Sequence, residues 1–281
     1  MQCNYYRILA LVANGLLLNH SALASEGGGS NYIPGFYGDF AMAILPQTGT
    51  YFYNFFNAYR GRTGDTSTLL EMPGVEHVSD TWIFGGRYFA GFFPALMGVW
   101  DHSDDSSRSR VGLGDFYLLP AGLSWNWGEI TATAFEGIIA PTGYYQNGAI
   151  NPGRNIWTFD HNLMLTWSLP AQNELSVTFG FMNNLENHAT HYRSGDEFHF
   201  DYSLGHYLAD GLALGIVGSY YKQVTADHAL TSLENIPYSE ASTIGPAVLF
   251  TPRIGNETAI SPCRLNGSTN LMSPDGFHRI I

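Results

Sequence analysis

The sequence is poor in cysteine, in charged residues and in long apolar runs. It contains two cysteines, Cys3 and Cys263, and 13% of its residues are charged, whereas soluble domains average ~25%. Cys3 lies in a predicted signal peptide, so only Cys263 would remain after cleavage. A single cysteine cannot form an internal disulfide or a cysteine zinc cluster. After that signal no apolar run reaches ~18 residues, which excludes ordinary transmembrane helices.

Basic residues are scarce as well. The chain has 12 Lys and Arg against 24 Asp and Glu, a formal net charge of −12, and nucleic-acid phosphates need a basic patch. Nucleic acid is therefore excluded as a partner. The abundant residues are hydrophobic (45%), aromatic (15%) and glycine (32 of 281). This composition indicates sheets with tight turns and a surface that does not face water everywhere.

The N-terminus has the order of a cleavable secretory signal. Arg7 precedes an apolar run from Ile8 to Leu18, and the small residues Ala22 and Ala24 follow. The alternative is a retained anchor, although the run is short for a spanning helix. Cys3 precedes the apolar run, so no lipid anchor is expected.

The remaining chain has no linker or composition break, which predicts one domain after the signal. We predict a signal peptide at 1–24, a periplasmic leader at 25–49 that is flexible over 26–30, a β-barrel at 50–251 and an atypical tail at 252–281.

Residues 155–167 show the clearest strand pattern. One parity carries Trp157, Phe159, Leu163, Leu165 and Trp167, with His161 as the exception, and the other carries Thr158, Asp160, Asn162 and Thr166. A period of two predicts a strand with one apolar face. Trp157 and Trp167 are spaced as the aromatic residues of two membrane interfaces would be in a tilted strand. The polar parity would then face a barrel lumen.

The same alternation recurs along the chain, for example where Phe198 and Phe200 oppose His199, Asp201 and Ser203. It predicts nine passes, or ten or more if the second bends or divides around Pro94: 50–60, 82–100, 112–127, 128–145, 155–167, 174–187, 196–207, 212–227 and 241–251. A soluble β-sandwich is the alternative, but sandwich strands average ~5–6 residues. The pattern favours an all-β, antiparallel transmembrane barrel of about 10–12 strands.

Several motifs occur in the order typical of one outer-membrane family. They are Ala24-Ser-Glu-Gly-Gly-Gly-Ser-Asn-Tyr-Ile-Pro-Gly35, Gly38-Asp-Phe40, Leu45-Pro-Gln-Thr-Gly-Thr-Tyr-Phe52, Gly112-Leu-Gly-Asp-Phe116, Gly122-Leu-Ser-Trp125, Ile139-Ala-Pro-Thr-Gly-Tyr144, Asn155-Ile-Trp-Thr-Phe159 and Ile244-Gly-Pro246. Over about residues 24–251 the chain resembles the meta-pathway of phenol degradation family of transporter-like barrels. The resemblance implies a barrel and a link to the uptake of aromatic or other apolar compounds.

The C-terminus departs from that family's pattern. After Ile254 the resemblance implies one or two further amphipathic strands ending at an aromatic residue, whereas this chain has two prolines, no sustained alternation and a terminal Ile281. A frameshift near Glu257 and a natural variant tail are both open explanations. With a broken frame the barrel would be incomplete at this end and keep open edges.

The sequence lacks three common enzyme signatures. It has no His-Glu-x-x-His, no Gly-Lys-Ser/Thr phosphate loop and no Gly-x-Ser-x-Gly elbow. His188, His191 and His199 are close in sequence, but loop imidazoles are usually solvated, and no metal or cofactor is expected. We expect a non-enzyme, while a barrel hydrolase built from dispersed Ser, His and polar residues stays open.

The function favoured by the sequence is passive passage or uptake of small apolar or aromatic solutes across the bacterial outer membrane. The lumen candidates are Thr158, Asp160, Asn162, Thr166, His199, Asp201 and Ser203. The alternatives are a plugged structural or ligand-binding barrel without flux and the barrel hydrolase. The expected partners are outer-membrane lipid, small apolar solutes and the barrel assembly machinery.

Overall fold

The protein is all-β in a computed structural model that describes residues 17–20, 30–60, 66–102, 108–209, 211–229 and 238–250. These residues form thirteen strands in a single antiparallel sheet. The strands are β1 (Leu17–His20), β2 (Gly49–Arg60), β3 (Thr66–Ile83), β4 (Gly86–Phe93), β5 (Leu96–Asp101), β6 (Arg108–Leu113), β7 (Phe116–Asn126), β8 (Ile130–Ala140), β9 (Thr158–Leu169), β10 (Asn173–Asn184), β11 (Glu197–Ala209), β12 (Leu212–Gln223) and β13 (Glu240–Phe250). Within the described ranges, no helix is long and apolar enough to cross a membrane.

The order of the sheet follows the chain, with two passes each made of two strands. β4 and β5 both pair with β3, one with its second half and one with its first. β6 continues alongside β5, and β7 alongside β4. The thirteen strands therefore make ten passes and the short β1, each pass beside its sequence neighbours. This meander confirms the predicted all-β antiparallel class.

Of the two readings left open for the second pass, the structure shows a break at Pro94 into β4 and β5, although the two strands together make one pass. The predicted start of this pass was wrong. Trp82 lies near the end of β3, and β4 begins after a tight turn at Phe84 and Gly85, whose φ values are 50° and 75°. Two successive positive φ angles suit the twist of a short hairpin. β3 itself was missed, because Pro73 interrupts its apolar pattern and charged or polar residues occur on both of its faces.

The two ends of the sheet differ in their connections. Turns of two or three residues join β3 to β4, β7 to β8, β9 to β10 and β11 to β12, whereas longer connections join the strands at the opposite end. Outer-membrane barrels have the same asymmetry, with short periplasmic turns and longer extracellular loops. We call these ends the short-turn end and the long-loop end.

The sheet has an open edge in the described part of the chain. No pairing there joins β2 to β13, and β13 instead pairs with β1, from Leu17 opposite Thr243 to His20 opposite Glu240. β1 lies in the predicted signal peptide, which stays a prediction. The predicted tail at 252–281 is outside the described residues.

Side chains alternate between an exposed outer face and a buried inner face. In β9 the outward Leu163 and Trp167 are 43% and 47% exposed, whereas Asp160 and Thr166 are 0% and 1% exposed. Outward positions carry apolar side chains on most strands, as a surface that contacts lipid requires. The outward His161 is satisfied by Glu136, at 2.6 Å, and by Asn183, at 3.0 Å.

Candidate functional site

The interior of the sheet is occupied by residues 30–48, which we call the inner segment. At its start the Asn31 amide donates to the Thr158 hydroxyl, at 2.7 Å, next to the long-loop end. At its end the Arg87 guanidinium donates to the Leu45 carbonyl, at 3.2 Å, next to the short-turn end. The inner segment therefore runs through the interior from one end to the other. It belongs to the predicted leader, whose periplasmic location stays a prediction.

All seven lumen candidates lie on the buried inner face of β9 and β11. Their exposed fractions are 6% or less: Thr158, Asp160, Asn162, Thr166, His199, Asp201 and Ser203. Several of them bind the inner segment. The Thr166 hydroxyl accepts the Ala43 N–H at 3.0 Å, and the Ser203 hydroxyl donates to the Asp39 carbonyl at 2.7 Å. Their role in solute passage stays a prediction.

His199 is the centre of the contact between the wall and the inner segment. Its Nε2 atom lies 2.9 Å from Asp160, and its Nδ1 atom lies 3.5 Å from Asp201, an ion-pair distance rather than a close hydrogen bond. The rings of Tyr32 and Tyr37 both stack with the imidazole, at centroid distances of 4.3 and 5.4 Å. Both imidazole nitrogens face carboxylates, so His199 is not placed to activate a serine nucleophile.

The two tyrosines of the inner segment also donate to the wall carboxylates. The Tyr32 hydroxyl donates to Asp201 at 2.8 Å, and the Tyr37 hydroxyl donates to Asp160 at 2.7 Å. The three ionisable side chains of this cluster are fully buried, and a hydrogen bond to an ionised group is about twice as strong as one between neutral groups. Stacking and charge-assisted bonds together anchor the inner segment.

A second anchor lies on β10, toward the short-turn end. Glu174 accepts the Ala41 N–H at 2.6 Å and the Tyr207 hydroxyl at 2.7 Å. This residue was not among the predicted lumen residues. The sequence did contain a signal for Glu174. Together with Ser176 and Thr178, it alternates with apolar residues along a predicted strand, and these three residues therefore share the polar face.

The opposite half of the interior is apolar. A cavity of about 70 Å³ lies between the inner segment and the wall formed by β2, β3, β4, β7, β8 and β9. Its lining is almost entirely aromatic and aliphatic: Phe36, Tyr37, Met42, Ile44, Leu45, Pro46, Tyr53, Phe55, Met72, Glu76, Phe89, Phe93, Tyr117, Leu119, Thr133, Phe135 and Met164. The sequence did not reveal this cavity, because on β2, β4 and β7 both strand faces carry apolar side chains and the alternation does not distinguish them.

Two motifs of the family resemblance meet beside the division between β6 and β7. The Asp115 carboxylate accepts the N–H groups of Gly143, at 2.9 Å, and of Arg154, at 2.6 Å. A Cβ atom on Gly143 would lie 2.7 Å from backbone atoms of Gly114 and Gly153, so only glycine fits this approach. These motifs therefore join the loop after β8 to the wall and serve the structure.

The other predicted residues lie apart from this interior. Trp157 and Trp167 are 44% and 47% exposed, and their role at the membrane interfaces stays a prediction. The three histidines considered for metal binding are not brought together: His199 is buried inside, whereas His191 is exposed and bonds Glu186 at 2.8 Å. The described residues contain no group of three or more His, Cys, Asp or Glu able to hold a metal ion.

Comparison with known proteins agrees with this architecture. The family model described as "Putative MetA-pathway of phenol degradation" matches residues 44–255. A similar solved structure is an outer membrane channel from Pseudomonas putida F1, with a TM-score of 0.56 and 15% identity over 78% of this chain and 99% of that chain. No curated protein sequence matches. The similar structure supports the all-β fold, the outer-membrane location stays a prediction, and the family match confirms the predicted resemblance: the chain belongs to this phenol-degradation family.

Proposed function

We propose that the protein is an outer-membrane channel for the passive uptake of small apolar or aromatic solutes. The observation that carries the proposal is the apolar cavity inside the sheet. Sites for small apolar molecules are concave and lined mainly by hydrophobic and aromatic side chains with few polar groups. The family description and the channel fold of the similar structure support the same function.

The size of the cavity implies that passage needs a rearrangement. At about 70 Å³ the cavity is roughly half of the ~150 Å³ space that admits benzene in an engineered protein core. Phe36, Tyr37 and Met42 of the inner segment form one side of it. A displacement of the inner segment would therefore widen the cavity, and we propose that this segment is the gate.

A matched pair of variants tests the proposal. Phe36→Ala removes a ring that lines the cavity, whereas Phe56→Ala removes a ring from the outward face of β2, where Phe56 is 63% exposed. Phe36→Ala should raise the uptake rate of a radiolabelled aromatic hydrocarbon by Gram-negative cells that produce the protein. Phe56→Ala should match the wild type once the amount of folded protein is equal.

The leading alternative is a plugged barrel without flux. It is favoured by the filling of the polar half of the interior by the inner segment. It predicts no uptake above that of cells lacking the protein, and no ion conductance in planar bilayers, for the wild type and for Phe36→Ala alike. Those results would overturn the channel proposal. Turnover of phospholipid or ester substrates would instead support the barrel hydrolase.

A further inference from the structure

We infer that the cavity, once displacement of the inner segment widens it, selects an uncharged, ring-sized solute that carries a hydroxyl or amino group, and that Glu76 makes this selection against carboxylate-bearing solutes. The inference deepens the proposed channel function and rests on it. Glu76 lies on β3 opposite Tyr51 of β2 and Gly91 of β4. It is the one charged side chain among the described residues that line the cavity.

The other polar groups of the lining are committed to contacts within the protein. The hydroxyls of Tyr37 and Tyr117 lie 2.9 Å apart, and both donate to Asp160. The Thr133 hydroxyl donates to the Ala43 carbonyl at 2.6 Å. A solute that enters the cavity therefore meets apolar surface at these positions, and its own polar group has to be satisfied elsewhere.

Glu76 can provide that partner. The Tyr53 hydroxyl donates to its Oε1 atom across 3.4 Å, which is long for this bond. A carboxylate has about four acceptor positions, so a hydroxyl or amino group of a solute can bind beside its existing contacts. A solute carboxylate offers no donor and would bring a second negative charge into an apolar space, where like charges repel strongly. The inward carboxylate therefore favours neutral donors and disfavours anions.

Binding in lipid nanodiscs tests this selection directly. We would follow 4-fluorobenzyl alcohol, 4-fluorotoluene and 4-fluorobenzoate by fluorine NMR and subtract their partition into protein-free nanodiscs. Wild-type protein should bind the alcohol about tenfold more tightly than the toluene, because a hydrogen bond to a charged group has this order of effect. The benzoate should bind most weakly of the three.

Two charge-neutralising variants on β3 distinguish selection of the solute by Glu76 from a general effect of removing one negative charge. Glu76→Gln should reduce the preference for the alcohol and bring benzoate binding within a fewfold of toluene binding. Glu71→Gln is the control, because Glu71 is on the outward face of β3 and contacts Asn54 at the exposed surface; it should keep the wild-type order. Heat-modifiable migration on detergent gels would show that both variants are folded.

The outcomes distinguish failure of this inference from failure of the channel proposal. If the alcohol and the toluene bind equally and Glu76→Gln changes neither their ratio nor benzoate binding, Glu76 only positions Tyr53 and the inference is wrong, while the channel proposal survives. If none of the three compounds binds folded protein above the nanodisc background, the cavity takes no such solute and both proposals fail.

Discussion

Tyr37→Phe is the sharpest test of whether the inner segment is held by the cluster around His199. The substitution keeps the ring that stacks with the imidazole and removes only the hydroxyl, which donates to Asp160 at 2.7 Å and lies 2.9 Å from the Tyr117 hydroxyl. A hydrogen bond to a charged group contributes about 1.5–3 kcal/mol. The variant therefore isolates one anchoring bond without creating a large cavity.

The surroundings of Asp160 place the expected effect in the lower part of this range. In the variant Asp160 keeps His199, at 2.9 Å, and the Tyr117 hydroxyl, at 3.4 Å, so the carboxylate is not left without partners. A loss of about 1.5–2 kcal/mol would raise the ratio of released to docked inner segment roughly 10- to 30-fold, at ~1.4 kcal/mol for each factor of ten. That change is large enough to detect in single-channel recordings.

The assay is the open fraction of single channels in planar bilayers. Tyr88→Phe is the matched control, because it removes a hydroxyl that donates to the Pro120 carbonyl, at 2.7 Å, at an exposed position. We expect Tyr37→Phe to be open more often than the wild type and Tyr88→Phe to be unchanged. If the two variants have equal open fractions, the Tyr37 hydroxyl does not hold a gate and the reasoning is refuted.

Three further predictions concern assembly and stability. Leu163→Arg should hinder insertion by about 2–4 kcal/mol if the outward side chain lies near the bilayer midplane, whereas Leu163→Met should insert normally; equal yields of membrane-inserted barrel would contradict a lipid-facing position. Gly180→Ala would place a Cβ 1.9 Å from the ring of His199, so urea unfolding should show a free energy of unfolding about 1–3 kcal/mol lower than that of the wild type. In the control Gly112→Ala the nearest atom to the new Cβ lies at 3.6 Å, and the free energy of unfolding should fall much less. Grafting an alternating ten-residue strand that ends in Phe after Gly255 should raise the yield of folded barrel, because unpaired strand edges are costly in lipid; equal assembly of the unmodified chain would show that the present tail is adequate.

The sequence predicted the class of the fold because strand alternation is a local property. Each strand repeats its exposure every two residues, so the parity of Leu163 against Asn162 is visible without any tertiary information. The same property predicted that Asp160, His199 and Asp201 share the side that faces the interior. β3 was not predicted because Pro73 interrupts its two-residue alternation.

Only the tertiary structure decided what those inward residues contact. Register places His199 of β11 level with Asn162 of β9 across Gly180 of β10, so that the imidazole reaches Asp160 on the diagonal. The stacking of Tyr37 with His199 depends on a segment 162 residues away in sequence. A periodic pattern gives the side of a strand but not its partners across the interior. The leader residues that fill the polar half, and the apolar cavity left beside Glu76 in the other half, therefore depend on long-range packing that no single stretch of sequence encodes.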